Sequence, residues 1–176
     1  RRQRQMCIRD RISLNIENAT VLYVPKDIDQ IFPNLKALRI AQAKLQTIAS
    51  EDLKPFPGLK VLCLWANELK TLDGNLLAFN PNLEFINFGS NQITHVGPHF
   101  FAPLNKLIAV YFEENTCINN TKPFAVEDLK FEIAVKCPPS FTQVEVALIN
   151  GGKLATKNDD LENKIKMLEN RIDELE

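Results

Sequence analysis

Leu35, Leu59, Leu83 and Leu107 stand at a fixed step of 24 residues, and their surroundings recur at the same step. Three and five residues on from each come Leu38 and Ile40, Leu62 and Leu64, Ile86 and Phe88, Val110 and Phe112. Eight residues on come Ala43, Asn67, Asn91 and Asn115, and ten on come Leu45, Leu69, Ile93 and, out of type, Cys117. Ile48, Leu72 and Val96 follow at thirteen. A unit of this length is one supersecondary element that cannot bury its own apolar side, so successive units must stack and share a core. Apolar residues two apart read as a short strand whose side chains alternate between faces, with the leucines inward. The asparagines suit the turn that follows, where a side-chain amide can serve buried backbone groups in a ladder. Ala43 and its counterpart Ala19 lack that amide, which predicts looser turns there. The returning segments place Leu53 and Phe56, Leu77 and Phe79, Phe101 and Leu104 inward.

The stretches "LKVLCLWANELKTL" and "LEFINFGSNQITHV" read as L-x-x-L-x-L-x-x-N-x-L with its continuation. This resembles the leucine-rich repeat family in its 24-residue form, frequent in extracellular proteins, and the resemblance covers roughly residues 11–137. It implies an α/β solenoid with a curved parallel sheet. Repeats of this family work through the concave face, built here from Arg39, Val61, Cys63, Trp65, Phe85, Asn87, Tyr111, Glu113 and Glu114. Trp65, Phe85 and Tyr111 on adjoining strands predict an aromatic patch, a common form of binding hot spot.

Twenty-four residues before Leu35 lies Arg11, and Leu14, Ile16, Val21, Val24 and Phe32 then fall on repeat positions. A first repeat therefore begins near Arg11 with no capping element before it, which reads as an upstream truncation. The ten residues before it, "RRQRQMCIRD", read back without mismatch as CGT CGG CAG CGT CAG ATG TGT ATA AGA GAC. That string resembles a transposase-type sequencing adapter, so residues 1–10 are expected to be non-native. Leaving them out lowers Lys plus Arg from 21 to 17 and Asp plus Glu from 22 to 21, so net charge goes from −1 to −4. The reading of a basic arm for nucleic acid loses its support with them, because phosphate binding needs clustered cations. Three cysteines remain: Cys63, Cys117 and Cys137.

Cys117 closes the last repeat and precedes a helix expected near 123–135 and then Cys137. This is similar to the C-terminal cap of secreted leucine-rich repeat proteins in a reduced, two-cysteine version. It implies a Cys117–Cys137 disulfide, the alternative being two buried thiols. Such a bridge closes a loop of about 20 residues and contributes roughly 3 kcal/mol. Two cysteines without histidine partners do not fill a tetrahedral zinc site, so no metal is expected. Asn18-Ala-Thr20 and Asn119-Asn-Thr121 are glycosylation acceptors, and with the cap they point to a secreted, extracellular location. Cys63 is the odd thiol, one residue before an inward leucine and so directed to the concave face. It reads as a bridge to another chain or as a small half-buried hydrophobe.

Past "INGGK", whose Gly151-Gly152 reads as a hinge, the pattern changes to heptads. Leu154, Leu161, Leu168 and Leu175 occupy d positions, and Asn158, Ile165 and Ile172 occupy a positions. β-Branched a residues with leucine at d favour two parallel strands, and one asparagine at a fixes their register. Lys157, Lys164 and Arg171 at g would face Glu162, Glu169 and Glu176 at e, so a homodimer meets no repulsion and a related heteropartner fits equally. The expected organisation is an adapter-derived segment at 1–10 and N-terminally truncated repeats at 11–114. A cap at 115–137, a linker at 138–153 and a truncated coiled coil at 154–176 follow.

His95 and His99 sit on a convex loop without a nucleophile or metal-ligand spacing, and the sequence has no phosphate-cradling glycine loop. The expectation is a non-enzymatic protein without cofactor that binds a protein ligand and dimerises through its tail. Repeats, cysteine cap and coil in this order are similar to the leucine-rich immune proteins of mosquitoes. The chain lacks the extra cysteines that join partners in that family, so the family's partner does not carry over. The alternatives are the ectodomain of a membrane receptor or adhesion protein, separated by a downstream apolar span of about 20 residues, and a structural matrix protein.

Overall fold

The computed structural model describes residues 12–119 and 126–153; residues 1–10 and the heptad segment 154–176 lie outside them. The described elements are β1 (Ser13–Glu17), α1 (Ile28–Ile31), β2 (Ala37–Ala41), α2 (Ser50–Leu53), β3 (Val61–Cys63) and β4 (Thr71–Leu72). After them come β5 (Phe85–Asn87), β6 (His95–Val96), β7 (Ala109–Tyr111), α3 (Val126–Lys136) and α4 (Phe141–Lys153). β1, β2, β3, β5 and β7 form one parallel sheet in chain order. Leu14 pairs with Leu38, Leu38 with Leu62, Leu62 with Ile86 and Ile86 with Val110, so each register partner lies 24 residues on. Each coil advances by one strand, which is the geometry of a solenoid. On the returning side β4 and β6 form a second, two-stranded parallel pair, Thr71 against His95 and Leu72 against Val96.

The inward positions make one continuous core. Leu38, Leu62 and Ile86, then Ile40, Leu64 and Phe88, then Leu45, Leu69 and Ile93 have no exposed surface. Burying each side chain of this size contributes roughly 1.5–3 kcal/mol. Leu53, Phe56, Leu77 and Leu104 close the core from the convex side, whereas Phe79, expected there, is 40% exposed. Its ring lies 5.1 Å from Lys54 Nζ. Asn80 goes inward instead, fully buried, its Nδ2 donating to Leu53 O at 3.1 Å and Phe56 O at 2.8 Å. The reason is register: the 24-residue step from Phe56 lands on Asn80 and then on Leu104, and stacking overrides the hydrophobicity of the residue next door.

The turn after each strand has one design. Asn18, Gln42, Ala66, Ser90 and Glu114, again at one step, hold φ of 53°, 50°, 55°, 53° and 57°. The following asparagine then reaches back to the preceding coil. Asn67 accepts from Ala43 N (3.1 Å) and Leu45 N (3.0 Å) and donates to Ile40 O (2.7 Å) and Leu64 O (3.0 Å). Asn91 accepts from Leu69 N and donates to Leu64 O and Phe88 O. Asn115 accepts from Ile93 N and donates to Phe88 O and Phe112 O. The turn at Ala43 is therefore not loose: its amide is served by Asn67 from the next coil, and Ala43 is fully buried. The turn at Ala19 is tied on too, with Val21 N donating to Ala43 O at 2.8 Å.

Glycine is required where two convex turns touch. Gly97 N donates to Leu72 O at 2.7 Å, and a Cβ on Gly74 would stand 1.9 Å from Pro98 O. At the C-terminal end Cys117 and Cys137 form a disulfide with their Cα atoms 5.2 Å apart. Cys117 N donates to Ile93 O and Val96 N to Cys137 O, which ties both ends of the bridge to the previous coil. Leu129 and Ile133 on the inner face of α3, with Cys137 just past its end, form a lid on the core.

The chain divides after Ser140 into two compact units. In the second, α4 fills most of the segment expected as linker, and Gly151 and Gly152 lie inside the helix. Each glycine costs a helix about 1 kcal/mol relative to alanine, which weakens its last turn. Among the described residues no helix is long and apolar enough to cross a membrane.

Candidate functional site

The strands turn their second set of side chains outward, and the register stacks these in rows across the concave face. One row holds Ser13, Ala37, Val61, Phe85 and Ala109, and the next holds Asn15, Arg39, Cys63, Asn87 and Tyr111. A third begins with the pair Glu17 and Ala41 and continues at the same step through Trp65, Gly89 and Glu113. Backbone bonds from Ala66 N to Gly89 O and from Ser90 N to Glu113 O carry the stagger across these last coils.

The first two rows meet in an aromatic contact. Phe85 and Tyr111 are diagonal neighbours whose ring centroids lie 5.3 Å apart with planes tilted by 39°. Tyr111 is 42% exposed. Diagonal pairs on adjacent strands lie within reach of aromatic side chains, and a pair like this contributes about 0.5–1.5 kcal/mol beyond its burial. Trp65 is half-buried in the third row and, among the described residues, makes no ring contact with either. The expected patch of three is a contact of two plus a separate indole.

Arg39 and Cys63 are tied to each other rather than both presented. Arg39 Nη2 donates to Glu17 Oε1 at 3.1 Å while Nη1 donates to Cys63 Sγ at 3.1 Å. Cys63, the free thiol, is only 5% exposed, because the guanidinium lies across it. The hydrogen bond from Arg39, with a smaller one from Asn15, holds the Glu17 carboxyl below the usual glutamate range. The same bond raises Arg39 further.

The remaining predicted residues take plain positions. Val61 and Asn87 are half-buried, and Asn87 Oδ1 accepts from Gly89 N at 2.8 Å. Glu114, exposed, accepts from Ser90 Oγ at 2.5 Å. His95 on β6 shares a 2.8 Å contact between Nδ1 and Thr94 Oγ1. His99 holds a left-handed turn with φ 65°. Asn18 and Asn119 are exposed, and the second sequon runs into residues outside those described. The dimerisation residues Leu154, Asn158, Leu161, Ile165, Leu168, Ile172 and Leu175 also fall outside them. Among the described residues no group of three His, Cys, Asp or Glu could hold a metal ion. The sequence pattern did not single out Gly89; its signal was the one glycine on an outward position of the sheet.

Residues 57–116 match the family described as Leucine rich repeat. No curated protein matches the sequence. Among solved structures, the chain is similar to one titled as the Toll–Spatzle complex, a molecular hub in Drosophila development and innate immunity. That similarity has a TM-score of 0.58 at 18% identity, over 62% of this chain and 14% of that one. A second similarity, to the leucine-rich repeat domain of APL1, has a TM-score of 0.48 at 16% identity, over 62% of this chain and 35% of that one. The chain thus spans a small part of the proteins it resembles, and the first similarity supports the repeat solenoid as its fold.

Proposed function

We propose that this chain is a secreted, non-enzymatic recognition module that binds a protein ligand on its concave sheet. The observation that carries the reading is the outward Phe85–Tyr111 pair, an aromatic contact on a stiff sheet. Surfaces of that kind concentrate binding energy in a few residues. The Cys117–Cys137 disulfide supports an oxidising compartment. Similarity to a structure containing Toll and Spatzle supports a protein ligand and an innate immune role. We propose further that residues 154–176 dimerise as a parallel coiled coil, on the heptads and the attractive g–e pairs read from the sequence.

The test is ligand capture from extracellular fluid by the full chain and by Tyr111→Ala. Loss of a partner that the parent retains supports the concave face. Capture unchanged by Tyr111→Ala, Phe85→Ala and Trp65→Ala together would sink it.

A further inference from the structure

The helix α4 carries large apolar side chains that its own chain leaves in the open. Phe141 is 84% exposed and Leu148 71%, and Val144, Val146 and Ile149 are exposed as well. None of residues 141–149 is buried. An isolated helix of this length is marginal in water, and helices in proteins draw most of their stability from packing an apolar face. α4 has such a face. At 3.6 residues per turn, Phe141, Val144, Ala147, Leu148 and Gly151 fall in one stripe about 120° wide. Thr142, Gln143, Glu145 and Asn150 all lie outside it, and Val146 and Ile149 stand on the far side.

The position of the stripe around the helix is specific. Val144, Ala147 and Gly151 are spaced by three and then four residues. The same alternation runs on, without insertion or deletion, through Leu154, Asn158, Leu161, Ile165, Leu168, Ile172 and Leu175. Counted back from the heptads of the tail, Val144 and Gly151 take a positions and Ala147 a d position, with Phe141 and Leu148 at e. A stripe unrelated to the tail would face any direction; this one falls on the tail's seam.

Other occupants fit this face less well. A lipid surface favours helices with several Lys or Arg on the polar side, and the only cation of α4 is Lys153. The stripe itself holds no charge, so two identical copies meet without repulsion. Alanine at d and glycine at a let two helix axes approach closely, because their separation follows the side chains at the contact.

We infer that the apolar stripe of α4 packs against the same stripe of a second copy of this chain, parallel and in register. This rests on the proposed coiled coil and deepens it: the interface begins at Val144 inside α4, not at Leu154, and Gly151 belongs to its seam.

In a parallel, in-register pair a d residue faces its own copy. The experiment places one new cysteine in the full chain carrying Cys7→Ser: Ala147→Cys in the stripe, Ile149→Cys on the far side, or Leu161→Cys in the tail. Cys117 and Cys137 are bonded to each other and Cys63 is buried, so the introduced thiol is the one free to link two chains. Disulfide-linked dimer is read after equilibration in a mildly oxidising glutathione buffer. Ala147→Cys should link at least about tenfold more than Ile149→Cys, since paired helices hold facing thiols at high effective concentration. Equal linking at 147 and 149 would overturn the inference. Leu161→Cys reads the tail separately. Linking at 161 with none above the control at 147 leaves the coil standing and removes α4 from it, whereas linking at 147 alone keeps the α4 contact and removes the tail. In sedimentation, Val144→Lys should weaken the dimer roughly tenfold and Ile149→Lys should leave it unchanged. Parent affinity retained in Val144→Lys would equally overturn the inference.

Discussion

Asn67, Asn91 and Asn115 each satisfy backbone groups on two coils at once, with their amides buried in the turn. Asn91→Ala should remove about 2 kcal/mol of stability, because it strands Leu69 N where water does not reach, while the Leu64 and Phe88 carbonyls keep the amides of Asn67 and Asn115. Urea unfolding with an unchanged slope checks it, and a loss below about 1 kcal/mol would mean that the ladder is water-served. Ala66 argues the other way. Its φ of 55° is a left-handed conformation that costs a residue with a Cβ about 1–2 kcal/mol, offset in part by the greater freedom of unfolded glycine. Ala66→Gly should therefore stabilise the chain by roughly 0.5 kcal/mol. At Glu17 the sign follows from a depressed carboxyl. The contribution of its bond to Arg39 is present above the unfolded value near 4.5 and is lost as pH falls through the lower folded value. Replacing Glu17 by Gln should flatten that part of the acid limb in a pH series of thermal melts.

Among the elements, the cap is where covalent chemistry does most. Breaking Cys117–Cys137 by Cys137→Ser should cost roughly 3 kcal/mol in the chain-entropy account. Adding reductant to the parent should reproduce the loss in a calorimetric scan. The strands and the cysteine spacing were legible beforehand because both follow from positions at a fixed step. The missteps came where neighbours on other coils decide. Phe79 read as inward on its hydrophobicity, but the step from Phe56 selects Asn80. Ala43 read as a loose turn because its own side chain has nothing to offer, while its partner lies 24 residues downstream in Asn67. At the site, register placed Phe85 and Tyr111 together, but an Arg39 reaching sideways onto Cys63 has no signature in a single sequence.

For the whole molecule, the concave sheet and the heptad tail make separate predictions. Asn158→Val should raise the stability of the proposed coil and loosen its register, since the asparagine trades one for the other. Sedimentation of the full chain at tens of micromolar decides whether there is a dimer at all, and a monomer would remove that part of the proposal. The asparagine amides have a further consequence for how the solenoid comes apart. Each reaches from its own coil to the one before it, so the coils are linked with a direction, as tiles each overlapping the last. Peeling from the β7 end withdraws the amide that the next coil relies on, whereas peeling from the β1 end removes no such amide from the coils that remain. Exchange of backbone hydrogens should therefore spread inward from β1 at lower free-energy cost than from β7, making the solenoid's two ends unequal in how readily they open.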